Sequence, residues 1–230
     1  MTNSSCRVII PALNEEDSIA KVIQDIPRDI VEEIIVVDNG SNDKTIEVAQ
    51  AAGATVLSEP LRGYGAACLK GISHVVEKNP ATGIIVFLDA DYSDHPEELP
   101  DVIAPILNDN FDMVIGSRAL GESEKGSLTT VQSFGNWLSA VLLRLIYGAN
   151  FTDLGPFRAI KLDKLLELNM QDKNYGWTVE MQVKAAKKKL SFTEVPVKYR
   201  NRIGTSKVSG TVKGSILAGY KILFTIFKNI

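Results

Sequence analysis

The run Ile84-Ile85-Val86-Phe87-Leu88-Asp89-Ala90-Asp91 constrains this chain more than any other segment. Consecutive apolar residues without alternation suit a strand buried on both faces, the pattern of a parallel sheet covered by helices. A carboxylate has no place inside such a strand, so Asp89 marks its carboxyl end. Open α/β sheets bind their ligands at that edge. Residues two apart in extended chain face the same way, so Asp89 and Asp91 can meet one ligand. Two close carboxylates repel unless a cation lies between them, and hard oxygen donors suit Mg²⁺ or Mn²⁺ shared with substrate phosphates. In isolation an Asp-x-Asp after a strand reads more readily as an acidic turn, so the rest of the chain must overturn that reading.

Strand-like runs alternate with helical patterns. Strands are expected at 8–10, 34–37, 55–57, 84–88 and 113–115, and helices at 15–26, from Asn42 or Asp43 to Ala52, after Gly65, and from Pro96. Ile19, Val22, Ile23 and Ile26 form one helical face. Gly53 follows the second helix as a stop, and Pro96-Glu97-Glu98 opens a helix with acidic residues at its positive end. Such alternation predicts an α/β fold: a mainly parallel sheet with helices on both faces. Beyond Gly116 the rhythm breaks. Segment 121–130 is polar and reads as a mobile loop. Segment 134–147 is strongly apolar, 190–197 is a strand whose Pro196 suits an edge, and 211–230 is an amphipathic, lysine-bearing helix. The chain reads as one domain of 230 residues. Its binding half is 1–118, the half that finishes the site is 119–210, and its C-terminal helix is 211–230.

Charge excludes one class of partner. Lys and Arg total 25 against 28 Asp and Glu, a net charge of −3, which argues against general nucleic-acid binding. The basic residues concentrate in 184–213, which suggests local contact with phosphate or an anionic membrane surface. Cys6 and Cys68 have no motif spacing and read as reduced thiols of a cytosolic protein. No signal-peptide pattern and no window of eighteen uninterrupted apolar residues occurs, so no membrane span is expected.

The other strand ends are also polar. The first leads into Pro11-Ala12-Leu13-Asn14-Glu15, and the second into Asp38-Asn39-Gly40-Ser41-Asn42-Asp43. Neither has the glycine spacing of a dinucleotide site or a phosphate-cradling P-loop. A nucleotide held by acidic and amide side chains fits better, with Asp38 able to accept from ribose hydroxyls or a base N–H. Asn14 and Glu15 also suit plain helix capping. Arg62-Gly63-Tyr64-Gly65 sets a cation and two glycines at a helix start, where phosphate is favoured. Arg118, Arg158, Arg200, Arg202 and Lys207 are many cations for one loop-rich region, and arginine matches phosphate with a bidentate fork. Arg200, Arg202, Ser206 and Lys207 around Gly204 read as an anion site, whereas Lys184, Lys187, Lys188 and Lys189 read as a solvated face. Trp177 and Glu180 share a helical face, with Trp177 either core filler or ligand platform. His74 and His95 lack ligand-like spacing.

In sequence order, these motifs resemble the family 2 glycosyltransferases. The resemblance continues through Gly116-Ser117-Arg118, Thr152-Asp153-Leu154-Gly155-Pro156-Phe157-Arg158, Gly176-Trp177-Thr178-Val179-Glu180-Met181, Glu194-Val195-Pro196-Val197 and the 200–207 segment. It is strongest for the dolichyl-phosphate mannose synthase and polyprenyl-phosphate glucosyltransferase branch and covers nearly the whole chain. It implies a GT-A fold, an inverting transfer of a hexose from UDP-glucose or GDP-mannose, and a polyprenyl or dolichyl phosphate as acceptor. It also implies Pro11, Asn14 and Glu15 by the base, Asp38 by the nucleoside, and Asp89, Ala90 and Asp91 by diphosphate and metal. Asn39 departs from the family's usual second acid, and Leu154-Gly155-Pro156 from its usual small polar segment. An anionic acceptor phosphate needs no strong base. A hydroxyl acceptor, in polysaccharide or glycolipid synthesis, would need one, and Asp153 or Glu180 are the candidates. A non-catalytic nucleotide-sugar-binding subunit is the alternative of another class. A lipid acceptor implies a peripheral enzyme on the cytosolic face of a membrane, landing on the helices of 134–147 and 211–230. A second copy of the chain or a separate membrane-anchoring protein would be its protein partner.

Overall fold

The computed structural model describes residues 5–81, 83–204 and 212–228, with the side chains of 212–218 left aside. Among the described residues the strands form one seven-stranded sheet in the order β3-β2-β1-β4-β6-β5-β7. They are β1 (Cys6–Ala12), β2 (Val31–Asp38), β3 (Thr55–Ser58), β4 (Ile84–Phe87), β5 (Met113–Ser117), β6 (Arg158–Lys161) and β7 (Phe192–Pro196). All neighbours run parallel except β6, which lies antiparallel between β4 and β5. Strand β7 is an edge, as expected of a strand that carries Pro196, its last residue.

Helices cover both faces. Val8 and Ile10 of β1 enter the core with α1 (Ile19–Asp25), α2 (Thr45–Ala51) and α4 (Leu99–Asp109), while Ile9 between them enters the opposite core. That second core holds α3 (Tyr64–Lys78), α5 (Thr130–Tyr147), α6 (Leu162–Leu168), α7 (Trp177–Lys187) and the end of α8 (Val212–Lys228). Strand residues of alternating direction feed two cores, which is why these strands read as unbroken apolar runs.

Three expectations shift. The first helix starts at Ile19 rather than residue 15. The intervening backbone is held by the turn after β2: Asn14 N–H donates to Ser41 Oγ, Glu15 N–H to Thr45 Oγ1 and Glu16 N–H to Asp43 Oδ2. Those bonds satisfy donors that a helix would otherwise leave open. Segment 121–130 is a loop as expected, but Glu124 anchors it, donating its N–H to Tyr199 O and accepting from Asn201. The apolar helix begins earlier, at Thr130, because Thr129 and Gln132 close a capping box.

Helix α3 packs on β1 through Gly71. A Cβ there would stand 2.6 Å from Ile9 Cγ2, deep in the core. Gly71→Val is expected to destabilise the protein by about 1–3 kcal/mol, the usual cost of overpacking, and to lower Tm by several degrees in a thermal melt. An unchanged Tm would show that this contact is not limiting.

Candidate active site

The carboxyl ends of β1, β2 and β4 open into a cleft of about 570 Å³. The cleft brings together ten of the residues expected from sequence: Pro11, Glu15, Arg62, Gly63, Asp89, Ala90, Asp91, Arg118, Trp177 and Arg202. It also brings in Asn39, Tyr64, Gln132, Asn174, Tyr175, Thr178 and Tyr199, which sequence reasoning did not select. Ser206 and Lys207 lie outside the described residues.

Asp89 accepts a hydrogen bond from Tyr64 Oη at 3.0 Å. Asp91 Oδ1 accepts from Ser93 N–H at 2.9 Å and Ser93 Oγ at 2.5 Å, and its Oδ2 pairs with Arg202 at 2.7 Å. Burial, followed by the neighbouring Asp91 charge, pushes the Asp89 carboxyl up to about 6. A third carboxyl, Asp94, lies buried close by, 2% exposed. Burial and then the Asp89 charge raise it well above the usual carboxylate range. This excess of buried negative charge is what a divalent cation relieves, so the residues fit one. Among the described residues no three His, Cys, Asp or Glu side chains gather closely enough to hold a metal alone. Asp89 and Asp91 thus offer an open, partial ligand set that phosphate oxygens would complete.

On the nucleoside side Asp38 is not among the residues that line the cleft. It is 2% exposed and accepts from the N–H groups of Gly40 and Ser41, holding the turn after β2. Asn14, exposed, accepts Asn42 N–H with its amide carbonyl and is not among the residues that line the cleft. Asn39, the departure from the family pattern, faces the cleft instead. Its amide donates to Glu59 O and Leu61 O, and its carbonyl accepts Gly63 N–H at 2.7 Å. Those bonds require an amide, which donates as well as accepts; a carboxylate there would face two carbonyls. Gly63 has φ +143°, and a Cβ would meet Lys173 O at 2.0 Å, so the 169–176 loop closes against the start of α3.

The two base candidates are occupied. Asp153 is 1% exposed and receives Arg118 N–H, Nε and Nη2 at 2.7, 2.8 and 2.7 Å. Its carboxyl is held below the usual range by Arg118 against the opposing effect of burial, the larger single influence. Glu180 accepts from the N–H groups of Gln171 and Asp172 and pairs with Lys184 at 2.8 Å. It fastens the 169–176 loop, and Lys184 belongs to that arrangement rather than to a solvated face. Arg158 is not a phosphate fork either. It is fully buried and donates to the carbonyls of Leu154, Gly155 and Thr178, with burial drawing it down to about 10. Trp177 belongs to the core, 1% exposed and meeting Phe87 edge-on at 5.8 Å, and it also lines the cleft.

Arg118 and Arg202 are the expected cations that reach the cleft beside the acids. Arg118 stacks over Tyr199 at 5.0 Å. Arg200 sits behind, 3.7 Å over the Tyr92 ring, bonded to Asp94 O and 3.6 Å from Glu97. Tyr64 and Tyr199 had weak sequence signals, a tyrosine between two glycines and one beside the arginine pair. Asn174 and Tyr175 had none, because an irregular loop carries no periodicity.

The described geometry has counterparts among known proteins. The family model described as glycosyl transferase family 2 matches residues 7–168. An undecaprenyl-phosphate mannosyltransferase of Micrococcus luteus is 31% identical, the match covering 90% of this chain and 88% of the relative. A dolichyl-phosphate hexose transferase of Haloferax volcanii is 30% identical, covering 91% and 89%. In fold, the chain matches glucosyl-3-phosphoglycerate synthase of Mycobacterium tuberculosis, solved with Mn²⁺ and UDP, at a TM-score of 0.76 and 22% identity, covering 98% of this chain and 80% of that one. A GT-A-type sheet, a cleft at its carboxyl edge built around Asp89 and Asp91, and a family match over most of the sequence together establish that this chain is a glycosyltransferase enzyme and belongs to family 2.

Proposed function

We propose that this enzyme moves a hexose, with inversion, from a nucleotide-diphospho-sugar to a polyprenyl or dolichyl phosphate, using Mg²⁺ or Mn²⁺ at Asp89 and Asp91. UDP-glucose and GDP-mannose are the donors that the motif resemblance favours. The observation that carries the acceptor is a second cavity, of about 810 Å³, between α5 and α8. Val131, Phe134, Trp137, Leu138, Val141, Ile222 and Leu223 line it, and it meets the donor cleft at Arg118, Gln132, Leu154 and Thr178. An apolar room that opens beside a fixed arginine suits a phosphate with a hydrocarbon tail. The names of the two relatives support the same class.

The chemistry fits the residues present. The acceptor phosphate oxygen is already anionic, so it forms the new bond to the sugar's anomeric carbon without a general base as the bond to the diphosphate breaks. That Asp153 and Glu180 are engaged elsewhere supports this route over a hydroxyl acceptor. A bound divalent cation would neutralise the leaving nucleoside diphosphate. Arg118, held rigid by Asp153, orients phosphate at the junction of the cavities.

Among the described residues no helix is long and apolar enough to cross a membrane. Yet Phe134, Trp137 and Leu145 of α5 and Tyr220, Phe224 and Phe227 of α8 are 44–76% exposed. Lys221 and Lys228 stand about 6 Å from the Phe224 ring, at 6.0 and 5.9 Å. Exposed aromatics beside lysines suit the interface of an anionic bilayer. We place the enzyme on the cytosolic face of a membrane, where a soluble donor meets a lipid acceptor. Val212, Lys213 and Ile216 of the same helix have side chains outside those described.

Transfer assays with labelled UDP-glucose or GDP-mannose and Mn²⁺ test the reading. Undecaprenyl phosphate is expected to be glycosylated, whereas free polyprenol and phosphoglyceric acid are not. Asp91→Asn is expected to lower turnover by about 10²-fold or more. Transfer only to a hydroxyl or to phosphoglycerate would overturn the acceptor assignment.

Full-length protein is expected to co-sediment with anionic phospholipid vesicles. Trp137→Glu with Phe224→Glu should weaken that binding by about tenfold or more, since each aromatic ring withdrawn from lipid forfeits its transfer energy. Equal partitioning of the two proteins would remove the proposed membrane face.

Asp89 also sets a pH dependence. Its carboxyl titrates near 6, so below that pH a cation must displace a proton. Mn²⁺ affinity is expected to fall about tenfold per unit below pH 6. An ordinary carboxylate would hold the affinity flat to about pH 4. A titration flat to pH 4.5 would show that Asp89 is not the limiting ligand.

A further inference from the structure

The carboxylate pair already has a cation, and it comes from the chain itself. Arg202 Nη2 lies 2.7 Å from Asp91 Oδ2. The Asp91 side chain is 6% exposed and that of Arg202 28%, so the arginine reaches in from the solvent side. Its own segment is irregular, and Ile203 N–H donating to Asp91 O is the backbone bond that fastens it at this point. Arg118, also at the cleft, is committed to Asp153 by its backbone N–H and by two guanidinium hydrogen bonds. Arg202 is therefore the guanidinium paired directly with the acid pair, and Asp94 lies buried beside it.

We infer that Arg202 is a built-in stand-in for the metal, holding Asp91 in the metal-free enzyme and leaving it when a divalent cation binds. The inference rests on the reading of Asp89 and Asp91 as the metal pair. The exchange is an ion swap: Asp91 gives up one guanidinium contact and gains the metal, while no covalent bond changes. A double charge between two carboxylates satisfies the cluster better than a single charge on one of them. The released guanidinium remains at the cleft wall, where a diphosphate brought in with the metal offers it a new anion. Metal binding and the position of Arg202 would then be coupled, and donor would meet an arginine that is free only once the metal is in place. In linkage terms, the Arg202 contact lowers the affinity for metal alone by the strength of the pair it breaks.

The test uses the full chain and Mn²⁺ alone, with no nucleotide or lipid, reading free Mn²⁺ by electron paramagnetic resonance. Arg202→Gln is expected to bind Mn²⁺ about three- to tenfold more tightly than the unaltered protein, the range set by a partly exposed ion pair. Arg202→Lys keeps the charge and should return most of the weaker affinity. Arg200→Gln removes a neighbouring cation that faces Tyr92 and Glu97 instead, and it should leave the affinity within about twofold of the unaltered protein. Unchanged or weaker binding in Arg202→Gln would overturn the inference. So would equal tightening in both glutamine variants, which would mark a general field rather than a specific exchange. If neither the unaltered protein nor any folded variant binds Mn²⁺, the metal assignment itself fails and the inference goes with it. Circular dichroism of each variant confirms the folded state before the comparison is made.

Discussion

The pair between Arg118 and Asp153 joins the two halves of this molecule. Arg118 follows β5 and Asp153 precedes β6, the antiparallel strand that lies between β5 and β4 in the sheet. Three hydrogen bonds make the pair a fork rather than a loose contact, and both partners are nearly enclosed. Around it, Thr152 binds Glu194 of β7, Gln182 of α7 donates to Asp153 O, and Arg118 lies over Tyr199. A buried pair of this kind is a poor source of net stability, because desolvation offsets much of the attraction. It is a strict source of geometry, since removing one partner strands the other charge. The donor cleft and the apolar cavity meet at Arg118, so what fixes Arg118 fixes the angle between them.

Arg158 does related work one layer deeper. Its guanidinium gathers the carbonyls of Leu154, Gly155 and Thr178, which are groups that a coil buried beside the sheet would otherwise leave unpaired. The antiparallel β6 starts at this residue, so the strand's entry and the 154–157 turn share one anchor. A sequence reader sees an arginine next to a phenylalanine and thinks of phosphate. The backbone's need for donors in a buried irregular segment is not visible in the side-chain pattern.

That contrast marks what is legible in the sequence. Strands β1, β2, β4 and β5 can be read because burial on both faces makes them unbroken apolar runs. Asp89 and Asp91 can be read because a charge closing such a run must sit at the edge of the sheet, where ligands bind. Strand β6 and helix α6 escape sequence reading: Arg158-Ala159-Ile160-Lys161 is short and flanked by charge, so neither period stands out. Asp38 and Asn39 exchange their expected importance. The acid looks like the ligand, yet it holds a turn, and the amide faces the cleft because only it can satisfy two carbonyls and an N–H together. Asp94 escapes notice because a carboxylate beside a histidine and a proline reads as surface, whereas the Asp94–Tyr199 bridge folds it inward.

These placements bear on chemistry. A transferase with a hydroxyl acceptor needs a carboxylate near the reacting carbon that is free to take a proton. In this chain the two carboxylates outside the metal pair that were expected to play that part are tied to Arg118 and to the 169–176 loop. An acceptor that arrives as an anion removes the need, and the demands on the protein reduce to holding charge and excluding water. The cleft supplies the first through Asp89, Asp91, Arg118 and Arg202. The apolar cavity between α5 and α8 supplies the second, since a hydrocarbon chain lying in it would displace water from the side on which the phosphate enters. With Asp153 and Glu180 so engaged, the site suits an acceptor that does not require a base.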